Sequence, residues 1–124
     1  MTLNPTNVNV TTVGNGALTV AQILAGIITR TGPTGAFSDT LPSTASILAG
    51  LKNATPFLAR YLNASGQTAT LVAGDANTTI AHGAGTLGAT TIATHQEAEL
   101  LFTPTGNAQN PGLTVTMLSR NTLV

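Results

Sequence analysis

The chain has 124 residues and a mass of 12.4 kDa, enough for one domain that buries roughly two thirds of its unfolded surface. Four Lys or Arg stand against four Asp or Glu, whereas an ordinary domain charges about a quarter of its residues. Zero net charge without any run of Lys or Arg gives phosphate backbones and anionic lipid surfaces nothing to hold, and the lack of Cys excludes disulfides, thiolate zinc sites and Cys nucleophiles.

In chain order, residues 1–17 alternate Val8 and Val10 with Asn9 and Thr11, after Pro5 and before Gly14 and Gly16, a pattern that predicts an extended N-terminal arm. Met1 to Val10 have neither a basic start nor an apolar core, so neither a signal peptide nor a membrane anchor is expected and the chain reads as soluble and made in the cytoplasm. Residues 18–124 read as a single β-rich domain. Its longest apolar stretch, Val20 to Ile28, is broken by Gln22 and Gly26 and is far too short to span a bilayer. Thr19-Val20-Ala21-Gln22 has the form of a capping box, with Ile23, Leu24 and Ile27 on one side of a short helix that ends at Gly26. Ile27 to Thr31 then reads as a β-branched strand, stopped by Gly32-Pro33 and followed by a loop containing Gly35 and Asp39. Pro42 opens a second short helix through Ala45, Leu48, Ala49 and Leu51 toward Asn53. Ile-Leu-Ala-Gly occurs at 23–26 and at 47–50, which four residues alone reduce to parallel punctuation of two helices.

From Pro56 the pattern turns to strands, at Phe57 to Leu62, Gln67 to Val72, Thr78 to Ala81, Thr90 to Thr103 and Leu113 to Leu118. The fold expected is therefore mainly β, a small β-sandwich or barrel with two short helices in the N-terminal half and an extended N-terminal arm. In the first of these strands Phe57, Ala59 and Tyr61 share one face and Leu58, Arg60 and Leu62 the other. That second apolar face is either a subunit contact or a further layer of the chain's own core.

Catalytic and ligand patterns are sparse. His95, Glu97 and Glu99 alternate along an expected strand and would project from one face, a possible divalent-metal set that lacks further ligands; they read more simply as the wet side of an amphipathic strand. Gly83 to Gly88 matches G-x-G-x-x-G, but a strand rather than a helix follows it, so a glycine-rich hairpin loop is the better account. Only His82 and His95 could activate a hydroxyl, and neither lies in a nucleophile-elbow motif. No enzyme, no cofactor and no small-molecule substrate is expected, and the sequons at Asn9, Asn53, Asn63 and Asn77 read as chance in a chain this rich in Asn and Thr.

The stretches GIITRTGPTGAFSDTLPSTASIL and, between Asn63 and Thr103, the Asn-x-Ser, Thr-Ala-Thr-Leu-x-Ala-Gly, Thr-Ile-Ala and Leu-Phe-Thr phrases resemble small structural proteins of tailed-phage virions. The resemblance departs at Asp75 to Thr79, where such sequences often read Gly-Val-Thr. It implies a capsid decoration, or cement, protein on the outer surface of the virion shell, bridging major capsid subunits. The composition points the same way, since a neutral exterior is desolvated cheaply against neighbours. On this reading the partners are the major capsid protein and other copies of the chain, as a homotrimer, without nucleic acid or membrane. Leu3, Val8 and Val10 would make the capsid contact of the arm, and Leu58, Arg60 and Leu62 the subunit interface. A tail or fibre-tip component that binds the host surface is the alternative placement.

Overall fold

A computed structural model describes residues 4–52, 56–82, 90–107 and 109–122. The chain is mainly β, and among the described residues it forms ten strands and two helices in two sheets. Three times in succession it lays a strand in the larger sheet and then one in the smaller. These pairs are β1 (Thr6–Val10) with β2 (Gly16–Ala17), β3 (Gly26–Arg30) with β4 (Phe37–Thr40), and β5 (Phe57–Asn63) with β6 (Ala69–Val72). Helix α1 (Val20–Ala25) separates the first pass from the second, and α2 (Thr44–Leu51) the second from the third. Because every pass runs the same way, β1, β3 and β5 are parallel neighbours, as are β2, β4 and β6.

The C-terminal half closes both sheets with β7 (Thr78–His82), β8 (Thr91–Ile92), β9 (Gln96–Pro104) and β10 (Leu113–Thr122). The larger sheet runs β1-β3-β5-β9-β10-β7, the smaller β2-β4-β6-β8. One core joins the two sheets and the helices, built from Ile28, Ala59, Tyr61, Leu100, Phe102 and Val115 of the larger sheet, Phe37, Leu71 and Ile92 of the smaller, and Ile23, Ile47 and Leu48 of the helices.

Helix α1 is capped as its sequence dictates. The Gln22 N–H donates to Thr19 Oγ1 at 3.2 Å, the Thr19 N–H donates to Gln22 Oε1 at 2.9 Å, and Gly26 ends the helix at φ 101°. The second helix draws on a distant residue as well as on Ser43. Its first N–H, from Thr44, donates to Asp75 Oδ2 at 2.9 Å, and the Asp75 turn packs so closely that a side chain on Gly74 would meet the carbonyls of Leu41 and Pro42. The two Ile-Leu-Ala-Gly segments occupy corresponding places, one closing α1 after the first pass and one within α2 after the second. Gly50 of the second lies against Val20 and Leu24 of α1, so its missing side chain lets the helices meet.

Three expectations are revised. Residues 37–40, read as loop, form β4, and Asp39 within it is fully buried. Residues 6–10, read as part of an extended arm, form an edge strand of the chain's own sheet, with Asn7 and Asn9 accepting hydrogen bonds from Thr29 and Thr31 across the pair. The strand expected over 90–103 is split by a turn that places His95 at φ 57°, outside β9. Leu3, Asn53 and the glycine-rich segment 83–88 lie outside the described residues.

Candidate functional site

Strict alternation sorts β5 into two faces. Phe57, Ala59, Tyr61 and Asn63 are buried, while Leu58 and Leu62 are half-buried and Arg60 is exposed. The register extends the second set across the sheet in rows. Leu58 lies opposite Leu101 of β9, which lies opposite Thr116 of β10; Arg60 sits between Ile27 and Glu99; Leu62 sits between Thr29 and Glu97. None of Ile27, Leu58, Leu62 and Leu101 belongs to the core or packs against it. The structure thus places the three residues expected at a subunit interface together, on the outer face of the larger sheet, where half-buried Ile27, Leu58, Leu62 and Leu101 alternate with Arg60, Glu97 and Glu99.

The charges on this face are satisfied inside the chain. Arg60 pairs diagonally with Glu97, and Glu99 accepts from the Ser119 hydroxyl at 3.1 Å. His95 does not join them. Its left-handed turn takes it out of the strand alternation, its N–H donates to the Asn63 carbonyl at 2.9 Å, and no group of three His, Cys, Asp or Glu able to hold a metal occurs among the described residues. Val8 and Val10 are half-buried on β1, a sheet edge without a charged residue.

A second feature went unseen in the sequence. Arg30 and Asp39, two of the few charged residues, are both entirely buried and face each other between the sheets. The Arg30 Nε–H donates to both Asp39 oxygens at 2.9 and 3.1 Å, and the Tyr61 hydroxyl donates to Asp39 Oδ2 at 2.6 Å. The guanidinium lies 4.6 Å over the Phe37 ring. Its other end donates to three backbone carbonyls, those of Thr12 at 2.6 Å, Gly14 at 2.5 Å and Thr31 at 3.0 Å. Gly16 makes room for the pair, since a Cβ there would come within 2.7 Å of Asp39 Oδ1 and 3.2 Å of Arg30 Nη2. Burial, then the hydrogen bond to Asp39 and that carboxylate's charge, push the Tyr61 phenol far above its ordinary range, against a smaller opposing effect of Arg30. One signal in the sequence pointed here, because Arg30 shares strand parity with the buried Ile28. The cluster is closed to solvent and holds three backbone carbonyls through the guanidinium.

Asn63 is a third hub, fully buried, with its amide donating to the carbonyls of Gln67, Ile92 and Ala93 and its oxygen accepting from Ser65. Its sequon is therefore inaccessible in the folded chain.

Comparison of the chain with protein-family models, with curated proteins and with solved structures returns no match.

Proposed function

We propose that this chain is a structural assembly protein that packs against copies of itself through the outer face of its larger sheet. In keeping with its resemblance to small tailed-phage structural proteins, it binds the outside of a phage capsid and bridges major capsid subunits as a homotrimer, with its two sheets acting as a small β-sandwich. The observation that carries this reading is the outer face itself. Ile27, Leu58, Leu62 and Leu101 are half-buried apolar side chains outside the core, grouped around the Arg60–Glu97 ion pair, and Glu99 beside them already holds the Ser119 hydroxyl, so a neighbour docking there meets mainly apolar surface and one internally paired ion pair. The capsid contact is assigned to the N-terminal region, with Leu3, Val8 and Val10 at or before the uncharged β1 edge, where backbone groups remain to accept a partner strand.

The test has two arms. Light scattering at micromolar concentration gives a trimer mass for the native chain and a monomer mass for a Leu58→Asp/Leu62→Asp variant whose melt is intact. Electron microscopy of shells assembled from the major capsid protein, with and without the chain, gives added density in hundreds of copies. A native chain that stays monomeric and leaves shells bare overturns the proposal, and binding in a few or a dozen copies at the tail moves the protein there.

A further inference from the structure

Of the chain's asparagines, Asn15 alone is followed by glycine. That pair is the one most open to attack by its own backbone, since Gly16 carries no side chain to hold its nitrogen away and turns freely toward the Asn15 amide. Asn15 is exposed, so water and hydroxide reach it. Its neighbours in the fold nevertheless fasten every part of the pair. Asn15 Oδ1 accepts from the Ser38 N–H at 2.8 Å, Gly16 stands opposite Asp39 in the ladder between β2 and β4, and the Gly14 carbonyl accepts from the Arg30 guanidinium at 2.5 Å.

Deamidation of such a pair begins when the Gly16 nitrogen gives its proton to a solvent base and forms a bond to Asn15 Cγ. The bond between Cγ and Nδ2 then breaks, and Nδ2 takes up a proton and leaves as ammonia. Water opens the cyclic imide in one of two ways. Cleavage between Cγ and the Gly16 nitrogen gives aspartate, cleavage between the Asn15 carbonyl carbon and that nitrogen gives isoaspartate, and in both the nitrogen regains its proton.

We infer that Asn15 and Gly16 form a self-modification site, closed while β2 lies on β4 and released to deamidation when that strand opens. Swinging the side chain onto Gly16 breaks the Ser38 bond and lifts Gly16 from beside Asp39, so the reaction draws on the opened chain. With only two residues and a free edge, β2 is the kind of element that opens without global unfolding. The isoaspartyl product lengthens the main chain by a methylene just before Gly16, where even a Cβ would come within 2.7 Å of Asp39 Oδ1. It therefore does not redock, and the hold of Arg30 on this segment is lost for good. The inference goes beyond the assembly reading and does not depend on it.

The experiment incubates the full-length native chain in mildly alkaline buffer, folded and unfolded in guanidinium chloride. Mass spectrometry follows the peptide that spans Asn15 and Gly16, with the aspartyl and isoaspartyl forms separated by chromatography. The folded chain is expected to react at least about tenfold more slowly than the unfolded one, and to speed up in guanidinium too dilute to unfold it. Isoaspartyl protein, purified and refolded, is expected to melt below the native chain, while an Asn15→Asp variant, which keeps the main-chain length, melts close to it. Equal rates in the folded and unfolded chain overturn the gate, and absence of product in the unfolded chain overturns the site. Isoaspartyl protein that melts with the native chain overturns the permanent loss of the Arg30 hold. The rate comparison uses the native chain alone, so it decides the first two points whether or not the variant folds.

Discussion

At Asp39 one buried carboxylate receives both the Arg30 Nε–H and the Tyr61 hydroxyl, so its removal leaves an uncompensated guanidinium and a phenol without its acceptor in a site closed to water. Breaking a buried ion pair on one side costs about 3–5 kcal/mol, a large share of the stability of a domain this size. Asp39→Ala is therefore expected to lower the urea midpoint by that equivalent or to prevent folding outright. Tyr61 supplies a second, independent reading. Its folded phenol is held protonated far above the ordinary tyrosine value near about 10, so its contribution is complete below that value and is lost as pH rises beyond it, where the unfolded chain gives up the proton first. The chain has one Tyr and no Trp, so tyrosinate absorbance reports this residue alone. It is expected to appear only together with alkaline unfolding, and a normal titration in the folded state would contradict the buried hydrogen bond. Arg30 was not read as buried, although it shares strand parity with Ile28. Asp39 was read as a loop residue, because its partners lie 9 and 22 residues away along the chain.

Among the elements, α1 was readable from Thr19 to Gly26 because both of its caps are local. β4 was not, since Phe37-Ser38-Asp39-Thr40 carries a charge that becomes acceptable in a strand only once Arg30 stands opposite. The start of α2 shows both regimes. Ser43 caps from within the segment, while Asp75 reaches it from the turn before β7, accepting from the Thr44 hydroxyl at 2.5 Å and N–H at 2.9 Å and from the Asn77 N–H at 3.0 Å. The Thr44 side chain first, then the two N–H groups, hold the Asp75 carboxyl below its usual range. A depressed carboxyl adds stability above the unfolded value near about 4 and loses it as pH falls through the folded one. Asp75→Ala is expected to lower the melting temperature at pH 7 and to converge with the native chain in strong acid. In hydrogen exchange the Thr44 amide should lose protection first. The Asp75 turn thus clamps the start of a helix that lies 31 residues earlier in the chain.

For the molecule as a whole, the scarcity of charge is more severe than the composition shows. Arg30 and Asp39 are buried, Arg60 and Glu97 pair with each other, Glu99 bonds Ser119 and Asp75 caps α2, so six of the charged residues act within the chain. An assembly held through such an exterior depends on apolar contact rather than on ion pairs between copies. Under the proposed self-packing, the oligomer mass is expected to stay constant from low salt to about 1 M NaCl, where exposed charge pairs are screened within a few ångström. Sedimentation across that range checks it, and dissociation by salt would point to ionic contacts instead. Deleting residues 1–13 strips β1 from β3 and takes the Thr12 carbonyl from Arg30, so side-chain substitutions separate binding from folding where truncation does not.

The amino-acid sequence by itself determined the mainly β character, the two helices, the sorting of β5 into two faces and the inward face of β9, because alternation and local caps operate over a few residues. Only the tertiary structure decided that three successive passes stack in parallel, that residues 6–10 join their own sheet, and that Arg30, Asp39 and Tyr61 meet. The reason is physical. Parallel neighbours are joined through long connections that leave no local signature, and a charge is buried or exposed according to whether a partner far along the chain arrives to meet it.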